Sequence, residues 1–154
     1  MKRGHGSGRP ARSKDKAPKL EGTESGLVVA TQSEGELASV IGHYPHRNQM
    51  LIDAGALALS KDISAQEFQP KVGYGTIVDA PIKEMAVIEC SQEHGFVAAA
   101  DPMPYGNMPI GTRVRILPNH ACITAAAYDK YYVVDSELDG GKAVVEIYDR
   151  INGW

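Results

Sequence analysis

At 154 residues, with 43% apolar and 23% charged residues, the chain is long enough for one domain with a core of its own, and no run approaches the roughly eighteen apolar residues of a membrane span. Its net charge of −3 hides a split: residues 1–20 carry seven Lys and Arg against Asp15, which leaves −9 for residues 21–154. An acidic body argues against nucleic acid as the main partner.

Residues 1–26, which begin MKRGHGSGRPARSKDKAPK, offer almost nothing to bury. Their ordering entropy goes unrepaid, so a disordered basic tail is expected ahead of a folded unit over 27–154. The tail has neither the apolar stretch of a secretory signal nor the amphipathic period of a transit peptide, and a cytoplasmic protein with reduced thiols is the expectation. ELASVIGHY (36–44) and QMLIDAG (49–55) flank the turn-forming PHRN and predict a hairpin or a close strand pair. ALALSKDISAQEF (56–68) has room for a turn or two of helix, and Lys61 and Lys71 read as solvated surface residues. GYGTIVD (73–79) is aromatic and β-branched between glycines, while EMAVIECS (84–91) and HGFVAAA (94–100) lie within hairpin distance.

DPMPYGNMPIG (101–111) packs three prolines and two glycines into eleven residues, which predicts a surface loop with Tyr105 at a rim. In TRVRILP (112–118) apolar Val114 and Ile116 alternate with solvated Arg113 and Arg115, a half-buried strand that Pro118 ends. The alanines of ITAAAYDK (123–130) favour helix, and DKYYVVDSELDGGKAVVEIYDR (129–150) holds the clearest hairpin, two β-rich runs around DGGK. Trp154 is expected to pin the C-terminus. Together these predict a mainly β fold: a small β-barrel or sandwich of about seven to nine short strands with one or two short helices.

Two cysteines, Cys90 and Cys122, allow at most one disulfide, and a bridge between them is the plain alternative to free thiols. Cys122 stands two residues after His120 in LPNHACITAA (117–126). In an extended segment positions i and i+2 project to one side, so imidazole and thiolate, the donors zinc prefers, would face one point. By residue chemistry alone the pair reads first as a buried structural thiol beside a hydrogen-bonded histidine, and two ligands fall short of the three or four of most zinc sites. His43, His46 and His94 are further candidates to approach in space, although no spacing forces it. His94 is also explained by a turn hydrogen bond. The chain contains no Walker loop, nucleophile elbow or dinucleotide fingerprint.

The run RILPNHACITAAAYDKYYVV (115–134) resembles the C-terminal part of the D-serine dehydratase and D-threonine aldolase family. MLIDAGALALSKD (50–62), GYGTIV (73–78) and SQEHGFV (91–97) match that family in its own order, and the resemblance covers about residues 36–154. It implies a fold-type III pyridoxal phosphate (PLP) enzyme made of an N-terminal (β/α)₈ barrel and a C-terminal β-domain. By resemblance His120 and Cys122 match the two protein ligands of a divalent metal, zinc foremost and manganese second. The ion's open positions would meet the hydroxyl of a small D-hydroxy amino acid. Where many members carry a lysine, this chain has Leu57. The PLP barrel needs roughly 200 residues, for which there is no room before residue 36. A detached or truncated domain, inactive alone, is therefore expected, with PLP supplied only by a barrel on another chain. The partners implied are that barrel chain or a second copy as a homodimer, with neither nucleic acid nor membrane. The alternative is a non-catalytic remnant that acts as a metal-binding or dimerisation module.

Overall fold

The computed structural model describes residues 26–30, 33–63, 73–78, 80–135 and 137–151. The basic tail through residue 25, Lys71 and Trp154 lie outside the described residues.

Nine strands form among the described residues: β1 (Gly26–Ala30), β2 (Ser33–Tyr44), β3 (Gln49–Ile52), β4 (Gly75–Val78), β5 (Ala86–Cys90), β6 (Gly95–Ala98), β7 (Arg113–Pro118), β8 (Lys130–Val134) and β9 (Val144–Asp149). Two short α-helices, α1 (Ala56–Leu59) and α2 (Ala121–Ala125), and short 3-10 helices at Pro45–Arg47 and Asp139–Gly141 complete the described elements. The twelve-residue β2 is the pivot. Its residues 36–39 pair with β7, and beyond an irregularity between Val40 and Gly42 it pairs with β3. A bulge of this kind sharpens strand twist, which lets one strand serve both ends of a closing sheet. From β3 the pairing continues through β6, β5, β4 and β7 back to β2, a closed barrel of six strands. Outside it, β1 lies antiparallel to β2 and parallel to β8, and the β8–β9 hairpin forms the free edge.

The barrel interior follows the two-residue period of its strands: Ala38 and Val40, Met50 and Ile52, Val114 and Ile116, with Ile77, Val87 and Val97. The strand runs appear where sequence pattern placed them, and barrel closure settles the choice between barrel and sandwich. The loop over 101–111 departs from a plain surface loop. Its prolines do exclude regular structure, but Met103 and Met108 are each only 4% exposed and pack into the core. Asn48, in the left-handed conformation at φ 54°, ties the loop down. Its Oδ1 accepts from the Met103 N–H at 2.8 Å, and its Nδ2 donates to the Asp101 carbonyl at 3.0 Å. Tyr105 accordingly packs on the core and against His43, with ring centroids 5.1 Å apart, instead of standing free at a rim.

Helix α1 is the single turn Ala56–Leu59, ended where Ser60 adopts φ 65°, and residues 64–68 of the expected stretch lie outside the described residues. Helix α2 begins at Ala121, two residues before the expected start, and Lys130 already belongs to β8. No helix among the described residues is long and apolar enough to cross a membrane.

Candidate functional site

At the end of β7, Pro118 still pairs with Gly75 of β4, and the chain then leaves the barrel. Asn119 anchors the exit: its Nδ2 donates to the Gly73 carbonyl at 2.6 Å and to the Asp62 carbonyl at 2.9 Å. His120 remains extended (φ −137°, ψ 92°) as the N-cap of α2, and helical bonds begin at once, from Thr124 N to His120 O and from Ala126 N to Cys122 O. The extended rim expected from the i, i+2 spacing is therefore corrected. Only His120 is extended, and Cys122 lies in the first helical turn. Thr124 supplies the reason: buried, it donates its hydroxyl to the Leu59 carbonyl at 3.1 Å and docks α2 on α1.

Among the described residues His120 is held through Nδ1. Its Nδ1 lies 2.7 Å from Asp62 Oδ2, with side chains 41% and 21% exposed. An ionised carboxylate only accepts hydrogen bonds, so Nδ1 is the donor of this contact, and in the neutral ring that tautomer places the lone pair on Nε2. Asp62, which the sequence pattern does not single out, is thus part of the site. The pairing spans 58 residues, and no local pattern signals it.

Both cysteines are free, so the bridge alternative fails, and Cys122 is exposed instead of forming a buried structural thiol. Cys90 is buried, and burial above all pushes its thiol up to about 11, with Lys61 lowering and Glu89 raising it. The thiolate is the reacting form. A maleimide or disulfide reagent at pH 7.5 is therefore expected to modify Cys122 at least about tenfold faster than Cys90; peptide mapping that finds Cys90 labelled first contradicts the geometry.

His43, His46 and His94 form no ligand set with His120. His43 Nε2 is 2.8 Å from the Met108 carbonyl oxygen, His46 stacks edge-on to Tyr44, and His94 is exposed in the β5–β6 turn, where its carbonyl accepts from Ser91 N–H. Among the described residues no three His, Cys, Asp or Glu side chains form a ligand set. Lys61 is exposed, Arg113 is exposed and Arg115 half-buried on β7. Leu57, 60% exposed, lines a cleft of about 200 Å³ with Asp53, Ala58, Gln92, Glu93 and Tyr128.

Behind that cleft lies Glu36, fully buried on β2 opposite Ile116 and on the same side of the strand as Ala38 and Val40. Neither carboxyl oxygen makes a hydrogen bond. Burial raises its pKa to about 7; the neighbouring Tyr128 hydroxyl offsets part of the shift and Asp53 adds to it. Tyr128 donates to the Ala58 carbonyl at 3.4 Å, and burial followed by Glu36 makes its phenol less acidic than usual.

His120, with its side chain 41% exposed, and the exposed Cys122 stand two residues apart at the head of α2 and offer an imidazole and a thiol, donor types that suit zinc. By their chemistry they fit a divalent ion as two ligands, a half-site, and the described residues bring no third ligand to them.

A family model described as "putative serine dehydratase domain" matches residues 36–134. The chain is 36% identical over 125 residues to a D-threo-3-hydroxyaspartate dehydratase of Delftia sp. (strain HT23), across 77% of this chain and 32% of that protein. It is 34% identical over 122 residues to a D-serine dehydratase of Schizosaccharomyces pombe, across 76% of this chain and 27% of that protein. The solved structure of the Delftia protein superposes with a TM-score of 0.66 at 33% identity, covering 79% of this chain and 32% of that one. Two further structures of that protein are of alanine variants, one at a histidine and one at a cysteine two positions later, the latter in a metal-free form. The spacing is that of His120 and Cys122. The chain thus spans about a third of the length of these relatives.

Proposed function

Because the chain belongs to the putative serine dehydratase domain family, we propose that it is the metal-binding C-terminal β-domain of a PLP-dependent lyase acting on D-hydroxy amino acids, by D-threonine aldol cleavage or D-serine dehydration. The observation that carries this reading is the half-buried His120 and the exposed Cys122 at the head of α2, with His120 Nδ1 already engaged by Asp62. In the reading, His120 Nε2 and Cys122 Sγ hold the ion, zinc ahead of manganese. When bound, such an ion supplies Lewis-acid polarisation of a substrate hydroxyl.

The chain's own contribution is placement. Asn119 fixes the strand exit through two carbonyls, and Thr124 fixes the helix that carries Cys122. The ligands thereby face outward from a packed barrel, where an ion keeps open positions for substrate. In this reading PLP belongs to a barrel on another chain, and Lys61, exposed at the surface, has no role toward it. A barrel from another chain, or a second copy of this one, is the proposed partner. The exposed apolar side chains Leu117 and Ile123, which flank the pair in sequence, and Ile63 beside Asp62 support it. The proposed compartment remains the cytoplasm.

Titration calorimetry with zinc, supported by elemental analysis, tests the reading. Wild type is expected to bind one ion per chain at micromolar affinity or better, and His120→Ala or Cys122→Ala to weaken it at least about tenfold. Wild type without zinc affinity removes the proposal. Where zinc binds, adding a PLP-loaded barrel is expected to yield cleavage of D-threonine or ammonia release from D-serine. Zinc binding with no such gain favours the non-catalytic module.

A further inference from the structure

We propose that Asp62 is the positioning residue of this half-site, its carboxylate locking the His120 imidazole so that Nε2 alone faces the ion. The inference rests on the metal reading and adds to it a residue that touches neither ion nor substrate.

The geometry is built from both sides. Asp62 Oδ2 meets His120 Nδ1 at 2.7 Å, while the Asp62 backbone is clamped independently. Its N–H donates to Ser60 Oγ at 3.2 Å, and its carbonyl accepts from Asn119 Nδ2 at 2.9 Å. Ser60 itself adopts φ 65°, which turns the chain out of α1 and toward the β7 exit. Asn119 therefore holds the backbone of the residue whose side chain holds its own neighbour, His120. Such a closed arrangement fixes where the carboxylate points. An imidazole with one nitrogen bonded to a fixed carboxylate has lost both its ring flip and its choice of tautomer. The lone pair stands ready on Nε2, so the ring meets a cation without first reorienting. The carboxylate also makes the imidazole a better donor. A half-site with only two protein ligands depends on that pre-organisation more than a closed four-ligand site does.

The test compares wild type, Asp62→Ala and Asp62→Asn with zinc alone as the probe. Zinc affinity is expected to fall about 10- to 100-fold in Asp62→Ala, and less in Asp62→Asn, whose amide oxygen still accepts from Nδ1–H. Nitrogen-15 NMR of His120 without metal is the second readout. Wild type shows the proton on Nδ1, and Asp62→Ala loses that preference while its thermal unfolding stays cooperative. Equal zinc affinity and an unchanged tautomer in Asp62→Ala overturn the positioning role and leave the metal reading standing. Wild type that binds no zinc overturns both. Should Asp62→Ala fail to fold, Asp62→Asn decides: wild-type affinity with a His120 proton on Nε2 defeats the proposal.

Discussion

Glu36→Gln flattens the decline in stability that wild type shows between about pH 4.5 and pH 7. The carboxyl is fully buried without a hydrogen bond, and its pKa rises from 4.5 to about 7 on folding. In that window the folded state holds a proton that the unfolded state has released, so stability falls as pH rises. The favourable contribution is complete below pH 4.5 and gone above about pH 7. At about 1.4 kcal/mol per pH unit, the loss amounts to about 3 kcal/mol. Glutamine has no charge to desolvate, so the difference between variant and wild type changes by about that amount across the window. A buried amide without partners costs about 1–3 kcal/mol by itself. The change in slope is therefore the firm readout, and the absolute gain at pH 8 is smaller. Urea midpoints from pH 4 to pH 8 measure it. Parallel curves for the two proteins would show that Glu36 is solvated or paired.

Gly55→Ala is expected to cost about 3 kcal/mol or more, from overpacking against backbone that cannot rotate away. Gly55 caps α1 where the β5–β6 turn supplies carbonyls to its first turn, Ser91 O to Ala56 N at 2.8 Å and Gln92 O to Leu57 N at 3.1 Å. That approach leaves no space for a side chain. A Cβ on Gly55 would stand 2.6 Å from the Gln92 carbonyl oxygen, 2.7 Å from the Glu93 carbonyl carbon, and closer still to His94 N. Because α1 carries the Leu59 carbonyl that Thr124 engages, α2 and Cys122 shift with it. At about 2–4 °C per kcal/mol for a domain of this size, the melting midpoint falls by about 6–12 °C. A loss under about 2 °C would mean that the turn yields without cost and that the close packing contributes little.

How much of this was legible depended on how far apart the participants lie in the chain. His120 and Cys122 were readable as a pair because both sit in one decapeptide whose residue types carry their own chemistry. Asp62 was not, since its aspartate lies in a polar turn that is indistinguishable from any solvated one. Glu36 was hidden for a related reason. It opens a strand run whose apolar members define the inward side, but a charged residue at the end of a run reads as exposed until the cap over that barrel end is known. The 101–111 loop was read correctly as irregular, yet its two methionines pack inward because Asn48, across the β2–β3 turn, holds the loop against the barrel. Strand β1 escaped notice altogether; it gains its place from β2 on one side and from β8 on the other.

Residue pattern determined the mainly β character, the turn positions and the closeness of His120 to Cys122 in the chain, and the resemblance of ordered motifs gave the family. Those properties come from alternation, glycine and proline geometry and side-chain chemistry, which act over a few residues. Tertiary structure decided the closure of β2 on both β3 and β7, the helix that carries Cys122, the carboxylate beside His120 and the buried carboxyl of Glu36. Each depends on bringing distant segments into one register, and the energy that selects that register, burial and hydrogen bonding across the closed sheet, exists only once the chain has folded.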